Sequence, residues 1–191
     1  RELELISEAN GITGLISQIV IRVKPLKPMH NAAIAFETPE NMAAFIEGLY
    51  HRKVMLWSVS FINPEAARMK NQLPPHLHHG RPVENRHRVV LPEKYIVLLA
   101  CTADRCDLIS QEVSELAEMN QGEMLSEEIA SHEWAARFEP MRAKRIAPSL
   151  IPSEVVVPVE NLATIIKETS GEIKHRFILE GFATNRRELV L

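Results

Sequence analysis

The spacing of apolar positions changes repeatedly along the chain, and these changes predict alternating strands and helices. Four segments have the alternating or continuous apolar character of strands: HNAAIAFE, VMLWSVSFIN, YIVLLACTA and EVVVP. Between them, apolar residues recur every three or four positions, which is typical of one helix face. The predicted order is strand, helix, strand, helix, strand, two helices, strand and helix. A last long strand follows, or a hairpin that turns near Thr184 and Asn185.

Two of the predicted helices have recognisable starts. Thr38 is expected to be the N-cap of the first helix, with Pro39 at its first position. Asp104 is expected to be the N-cap of the third helix. The buried positions predicted on these helices are Met42, Phe45, Ile46 and Leu49 on the first and Leu108, Val113, Leu116 and Met119 on the third.

Glycine and proline divide the beginning of the chain. The segment GITGLI, residues 11–16, predicts a tight turn that leads into a strand over residues 19–23. The prolines of PLKP then indicate a linker. We therefore expect a domain boundary between residues 1–27 and residues 28–191.

The order of elements and the composition together define the class of protein. Alternating strands and helices predict an α+β sandwich with helices on one face of a mixed or antiparallel sheet. The 191 residues are 46% hydrophobic and 25% charged, as in a globular protein with its own core. A net charge of −3 gives no reason to expect nucleic acid or an anionic membrane as partner.

The sequence also indicates the cellular compartment and the redox state of the two cysteines. No apolar run approaches the roughly 18 residues that a membrane span needs, which predicts a cytoplasmic or peripheral protein. Cys101 and Cys106 lack the spacing of a disulfide framework or a zinc pair, so we expect free thiols. The first residues, RELELISEAN, resemble no signal peptide, and the chain is expected to be a fragment of a longer protein.

The most informative chemistry lies in residues 132–158, HEWAARFEPMRAKRIAPSLIPSEVVVP. Four cations gather there around one carboxylate, that of Glu139, and give a local charge of about +3. They are Arg137, Arg142, Lys144 and Arg145. A guanidinium matches a carboxylate in shape and charge, so the cluster suits an anionic ligand. Pro140 is expected to interrupt the helix and to start a second short one, which predicts a kink inside the cluster.

Each of these residues also has a purely structural interpretation. For Arg137 it is an ion pair on the helix surface with Glu133, four residues earlier. For the other three cations it is a solvated basic face. Trp134 and Phe138 lie one helical turn apart, with Met141 extending the row, and are expected to pack in the core. The isolated histidines, His132 and His175, are expected to be solvated or capped.

Four more histidines lie in the irregular segment LPPHLHHGRPVENRHR: His76, His78, His79 and His87. Only Glu84 lies near them as a carboxylate, and their spacing matches no known metal-ligand pattern. We therefore predict solvated loop histidines and no metal site.

Three stretches resemble the FAD-linked oxidases and dehydrogenases of the type that includes D-lactate dehydrogenase and the flavin subunit of glycolate oxidase. SEANGITGLISQIVIRVKPLKP is similar to the end of that family's FAD-binding lobe. HEWAARFEPMRAKR resembles its Trp-x-x-Arg helix, and SEVVVPVENLATII resembles the strand, proline and helix that follow. The resemblance implies that residues 28–191 form a ferredoxin-like cap or substrate domain with extra helices, and that residues 1–27 end a truncated FAD-binding lobe.

By this resemblance the full-length protein is an FAD-dependent oxidoreductase of a small 2-hydroxy acid, such as D-lactate or glycolate. It would pass electrons to an iron-sulfur subunit, a cytochrome or a quinone. Arg137 matches the arginine of Trp-x-x-Arg and would bind the substrate carboxylate. The turn whose backbone would approach FAD comprises Gly11, Ile12, Thr13, Gly14, Leu15 and Ile16. The chain alone is expected to be inactive and to bind no FAD.

The chain departs from the family near its end. Relatives carry Gly-His-x-Gly-Asp-Gly-Asn-x-His, whose histidines bind a divalent metal or the substrate hydroxyl. The best match, GFATNRREL, places Phe182 and Leu189 at the histidine positions, and neither can ligate a metal or accept a proton. The catalytic base therefore stays unassigned. The alternative function is a noncatalytic module with the cap fold that docks a partner subunit through residues 142–145.

Overall fold

The structure is a computed structural model that describes residues 17–23, 25, 27–74, 77–78, 81–82, 89–138, 140–184 and 187–191. The strands are β1 (Met29–Phe36), β2 (Ser58–Ile62), β3 (Leu77–His78), β4 (Arg81–Pro82), β5 (Tyr95–Thr102), β6 (Glu123–Met124), β7 (Val156–Pro158), β8 (Glu180–Ala183) and β9 (Glu188–Val190). The helices are α1 (Pro39–His51), α2 (Pro64–Gln72), α3 (Cys106–Met119), α4 (Glu127–Ala136) and α5 (Leu162–Glu172). Short 3-10 turns span Ala103–Arg105, Pro140–Arg145 and Val159–Asn161.

Seven strands form one antiparallel sheet in the order β6-β1-β5-β2-β8-β9-β7. Its centre is the long pairing of β1 with β5, which runs from Met29 opposite Thr102 to Phe36 opposite Tyr95. β3 and β4 pair separately. The predicted α+β class is confirmed, and the chain ends in the hairpin of β8 and β9 rather than in one long strand.

Each face of the sheet has its own apolar core, because successive residues of a strand point to opposite sides. On what we call the first face, residues such as Ile34 and Val97 pack against α1, α3 and α5. On the second face, residues such as Ala33 and Leu98 pack against α2 and α4. Helices therefore cover both faces of the sheet, and the prediction that they lie on one face was wrong, because the extra helices, α2 and α4, lie opposite the other three.

Helix α1 forms as predicted. Thr38 is its N-cap, with Oγ1 accepting a hydrogen bond from the Asn41 amide at 3.2 Å, and Pro39 occupies the first position. The four predicted stripe residues are all buried. Pro140 likewise begins a short 3-10 turn after α4, which confirms the predicted break. Cys101 and Cys106 are free thiols.

The prediction for α3 was partly wrong. The helix begins at Cys106, after a 3-10 turn that contains Asp104, so Asp104 is not its N-cap. Hydrogen bonds from Thr102 and Lys27 instead lower the pKa of the Asp104 carboxyl to about 2. Val113 and Leu116 are buried as predicted, and the remaining buried positions are Ile109 and Ala117.

Two further residues of α3 were also assigned wrongly. Leu108 and Met119 are 81% and 71% exposed, because each lies beside the helix stripe that faces the sheet and not on it.

The strand predicted over residues 19–23 is also absent. None of the described strands pairs with this segment, and Ile19, Ile21 and Val23 are all more than two-thirds exposed. An apolar alternation becomes a strand only where another strand is present to satisfy its backbone groups. The preceding turn, residues 11–16, lies outside the described part of the chain.

Candidate functional site

A cavity of about 1040 Å³ opens where β2 begins and where β5 and β8 end. Much of its wall is apolar, including Trp57 and Trp134. Five cations and no carboxylate lie among its described lining residues. They are Lys27, Lys53, Arg105, Arg137 and Arg187. Lys27 pairs with Asp104 at 2.9 Å and Arg187 with Glu47 at 3.6 Å, which leaves Lys53, Arg105 and Arg137 as lining cations without such a pair among the described residues. An apolar wall with this excess of positive charge suits an organic anion, although the chain as a whole is acidic.

Arg137 lies at the end of α4 and is held by its own neighbours. Its guanidinium carbon lies 3.8 Å from the ring centre of Trp134 and 4.3 Å from that of Phe138. Its Nη1 also donates a hydrogen bond to the Trp134 carbonyl oxygen. Such cation–π contacts orient the guanidinium without neutralising its charge. Among the described residues no carboxylate lies within ion-pair distance of Arg137, so the ion pair with Glu133 does not form.

The two aromatic residues that contact Arg137 differ in their exposure to solvent. Trp134 is half-buried and packs against the core of the second face. Phe138 is 81% exposed, so the prediction that it packs in the core was wrong. The reason is that α4 ends at Ala136, before the helical spacing reaches Phe138. The side chain of Met141 lies outside the described part of the structure.

A buried charge network adjoins Arg137. The Lys70 ammonium on α2 lies 2.7 Å from Oε2 of Glu133 and 3.7 Å from Oε1 of Glu180. The other carboxylate oxygen of Glu133 lies 3.0 Å from Nδ1 of His132. His132 was therefore wrongly predicted to be isolated, whereas His175 is exposed.

The protonation of this network follows from its burial and its charges. Burial favours the neutral form of both Glu133 and Lys70. For Glu133, the hydrogen bond with His132 and the charge of Lys70 outweigh that effect and lower the pKa of the carboxyl. For Lys70, the charges of Glu133 and Glu180 likewise outweigh burial and raise the pKa of the ammonium. Both groups are therefore ionised at neutral pH.

A second, small cavity joins the network to Arg137. Its volume is about 30 Å³, enough for one water molecule. Its polar and charged lining residues are Ser60, Lys70, Glu133, Arg137 and Glu180. Arg137 lines both cavities and thus lies between the buried network and the large cation-rich opening.

Asn63 fixes the two elements that bring the network together. Its Oδ1 accepts hydrogen bonds from the Ala66 amide at 2.9 Å, at the start of α2, and from the Leu179 amide at 3.0 Å, just before β8. Its Nδ2 donates to the Phe177 carbonyl at 3.1 Å. Asn63 thereby couples the helix that carries Lys70 to the strand that carries Glu180.

The hairpin of β8 and β9 carries the two residues that the resemblance aligns with histidines, Phe182 and Leu189. Phe182 lies opposite Ser60 and Val190 and is 45% exposed. Leu189 is fully buried in the core of the first face. The two residues therefore point to opposite sides of the sheet and do not converge on one ion. Within the described ranges, no cluster of three or more histidine, cysteine or acidic side chains is arranged to hold a metal.

Residues 27–184 match the family model described as FAD linked oxidases, C-terminal domain. The chain belongs to this family. A comparison with curated protein sequences found no match.

Solved structures agree on the fold. The chain resembles alkyldihydroxyacetonephosphate synthase in a P1 crystal, with a TM-score of 0.56 and 13% identity over 85% of this chain. A P212121 crystal of a protein with the same name gives a TM-score of 0.57 and 11% identity over 86% of this chain. The chain spans 35% of the length of each. At this identity the likeness establishes a shared fold.

One buried hydrogen-bond acceptor of this FAD-linked oxidase domain has no donor among the described residues. Oδ1 of Asn31 is buried and accepts no hydrogen bond. Asn31 shares a row of the sheet with Ala100 and Ser58, and Ser58 lines the large cavity. FAD carries ring N–H groups, and an acceptor without a partner in a row that has no charged side chain is chemically compatible with such a donor.

The remaining predicted positions contribute less. Arg142 donates a hydrogen bond to the Pro74 carbonyl oxygen at 2.8 Å, while Lys144 and Arg145 are exposed. The turn expected to approach FAD, residues 11–16, lies outside the described ranges. The same holds for His76, His79 and His87 and for the side chain of His78. None of the helices that the structure describes is long and apolar enough to cross a membrane.

The sequence did not reveal Lys70, Glu180 or Asn63 as site residues. One signal was available for the network. Glu133 lies between Ala130 and Trp134, on the face of α4 that packs against the sheet, and a carboxylate there requires a buried partner.

Proposed function

We propose that this chain is the substrate-covering domain of an FAD-dependent oxidoreductase that oxidises a small 2-hydroxy acid. The observation that carries the proposal is the state of Arg137. Its guanidinium is oriented by two aromatic rings, lines a cation-rich cavity and has no carboxylate partner among the described residues. A half-buried guanidinium without an acid suits a carboxylate supplied by the substrate.

The role of the chain is then to bind and to orient. The Arg137 guanidinium donates two hydrogen bonds to the substrate carboxylate, which fixes the carbon that bears the hydroxyl group. The apolar wall around Trp57 and Trp134 excludes water from that carbon. FAD, when bound, would accept the two electrons of the hydroxy acid, and the resemblance implies an iron-sulfur subunit, a cytochrome or a quinone as the partner that would receive them.

A second candidate is a noncatalytic module with the same fold. Phe182 and Leu189 stand where the family's histidines are expected, and they face opposite sides of the sheet. The exposed cations, Lys144 and Arg145, would then dock an acidic partner subunit. This candidate predicts neither bound flavin nor turnover in the full-length protein.

The two candidates differ in one experiment on the full-length protein. D-lactate and glycolate are added anaerobically, and the flavin absorption band is followed. Propane-1,2-diol is the matched control, since it keeps the hydroxyl group of lactate but lacks the carboxylate. We expect rapid loss of the band with at least one of the acids and none with the diol.

Three results would contradict parts of this proposal. A colourless full-length protein would favour the noncatalytic module. A flavin band that neither acid reduces would reject a small 2-hydroxy acid as substrate. Equal reduction by the diol would remove the carboxylate, and with it Arg137, from recognition.

A further inference from the structure

Glu133 and Arg137 have the spacing of an ion pair but do not form one. They are four residues apart at the end of α4, in the order that favours a helical pair, and both line the small cavity. Yet both carboxylate oxygens of Glu133 are engaged elsewhere, one by Lys70 at 2.7 Å and the other by His132 at 3.0 Å. Lys70 on α2 therefore pairs with Glu133 in place of Arg137, the partner that the helical spacing predicts.

We propose that Lys70 is a positioning residue that holds Glu133 away from Arg137 and so keeps Arg137 open to an external carboxylate. The identity of that carboxylate rests on the proposed function. The separation of Glu133 from Arg137 by Lys70 does not rest on the proposed function, because it follows from contacts within the chain.

The local charges explain why Lys70 has this effect. Its ammonium lies between two carboxylates, those of Glu133 and Glu180, and the side chain of Glu133 is only 6% exposed. Without Lys70, two acids would remain in a poorly solvated site with no cation between them. A buried carboxylate without a partner is strongly unfavourable, and Arg137 is the other cation that lines the same cavity. Arg137 would therefore be drawn into the network.

The chain offers a matched control. Lys94 also bridges two carboxylates, with its ammonium 2.8 Å from Glu37 and 2.9 Å from Glu123. Glu123 belongs to β6, the edge strand on the far side of β1 and β5 from β2 and β8. Loss of Lys94 thus removes a lysine from an acidic pair without affecting the surroundings of Arg137.

The test measures how accessible Arg137 is in the full-length protein. Phenylglyoxal modifies arginines that are not engaged by acids, and peptide mass spectrometry gives the rate at Arg137 alone. We expect Lys70→Met to slow modification of Arg137 about tenfold, as one charge-assisted hydrogen bond would. The double variant Lys70→Met/Glu133→Gln should restore the rate to within about twofold, and Lys94→Met should not change it.

A second variant guards against misfolding of Lys70→Met. Lys70→Gln/Glu180→Gln removes one of the two acids together with the lysine, and it should slow the modification similarly. Wild-type reactivity of Arg137 in either folded variant would overturn the proposal. So would a slow rate that persists in the double variant without Glu133.

Kinetics of the same proteins separate this proposal from the proposed function. We expect Lys70→Met to raise KM for the hydroxy acid about tenfold with little change in kcat, and the added Glu133→Gln to reverse the rise. If Arg137→Gln leaves KM unchanged but the phenylglyoxal pattern holds, the proposed function fails and the role of Lys70 stands. If Arg137→Gln raises KM but Lys70→Met changes neither measurement, the role of Lys70 fails alone.

Discussion

The guanidinium of Arg137 lies 3.8 Å from the centre of the Trp134 ring, and the two residues are three positions apart at the end of α4. This contact orients a cation at the border of the large cavity without an acid to neutralise it. The nearby acids belong to the network around Lys70. The separation of these two sets of charges is the basis of the proposed function.

Glu133 should make the fold sensitive to acid. Burial tends to raise the pKa of Glu133, but its hydrogen bond with His132 and the charge of Lys70 bring it below the ordinary value of 4.5. A carboxyl with a lowered pKa stabilises the fold above its unfolded pKa, and this contribution is lost as the pH falls through the lowered value.

We therefore expect the free energy of unfolding to decrease more steeply between about pH 6 and pH 3 in the wild-type protein than in Glu133→Gln. Urea unfolding at several pH values measures this slope. Glu118→Gln, at an exposed position of α3, is the control and should keep the wild-type slope. Parallel pH profiles for wild type and Glu133→Gln would show that the network contributes nothing.

Asn63 should contribute more to stability than an ordinary helix cap. Its side chain makes three hydrogen bonds and is 7% exposed. Replacement by alanine leaves buried amides and a carbonyl unsatisfied, so we expect Asn63→Ala to destabilise the fold by about 3 kcal/mol. Thr38→Ala, which removes a more exposed cap, should lose about 1 kcal/mol. Equal losses in urea unfolding would refute the coupling of α2 to β8.

Gly181 is required by a close contact across the sheet. A Cβ at this position would lie 2.6 Å from Cζ of Phe61 and 2.9 Å from Cδ2 of Leu191. Gly181→Ala should therefore destabilise the fold by about 1–3 kcal/mol, since the buried Phe61 ring has to move. Gly171→Ala is the matched control, because nothing lies within 4 Å of its Cβ and alanine favours the helix. It should be neutral or stabilising by up to about 1 kcal/mol, and a stable Gly181→Ala would contradict the packing.

The two positions that replace the family's histidines should respond differently to histidine. Leu189 is fully buried, so Leu189→His should lose about 3 kcal/mol or more. Phe182 is 45% exposed, and Phe182→His should stay within about 1 kcal/mol of the wild type. Thermal or urea unfolding distinguishes the two. Similar tolerance at both positions would mean that they do not face opposite sides of the sheet.

The local parts of the fold were predictable because their causes lie within a few residues. Thr38, Pro39 and a stripe at helical spacing specify α1 wherever it packs. The phase of α3 was harder to predict, since Leu108 and Met119 compete with Ile109 and Ala117 for the buried face. That competition is decided by packing against the sheet, which a single sequence does not contain.

The candidate site was predictable only at Arg137. Lys70 and Glu133 are 63 positions apart and meet because α2 and α4 cover the same face of the sheet. Such a contact depends on strand order and register. The strand predicted over residues 19–23 does not form for a related reason. The segment's own sequence does not specify a partner strand.

Steady-state kinetics of the full-length protein with D-lactate or glycolate test whether the Arg137 guanidinium binds the substrate carboxylate. Arg137→Lys keeps the charge but loses the bidentate fork, and Arg137→Gln loses both. We expect KM to rise about 10- to 100-fold in Arg137→Gln, and less in Arg137→Lys, while Arg145→Gln, in the exposed part of the same basic segment, behaves as wild type. Unchanged KM and kcat in both Arg137 variants would show that Arg137 does not bind the substrate carboxylate.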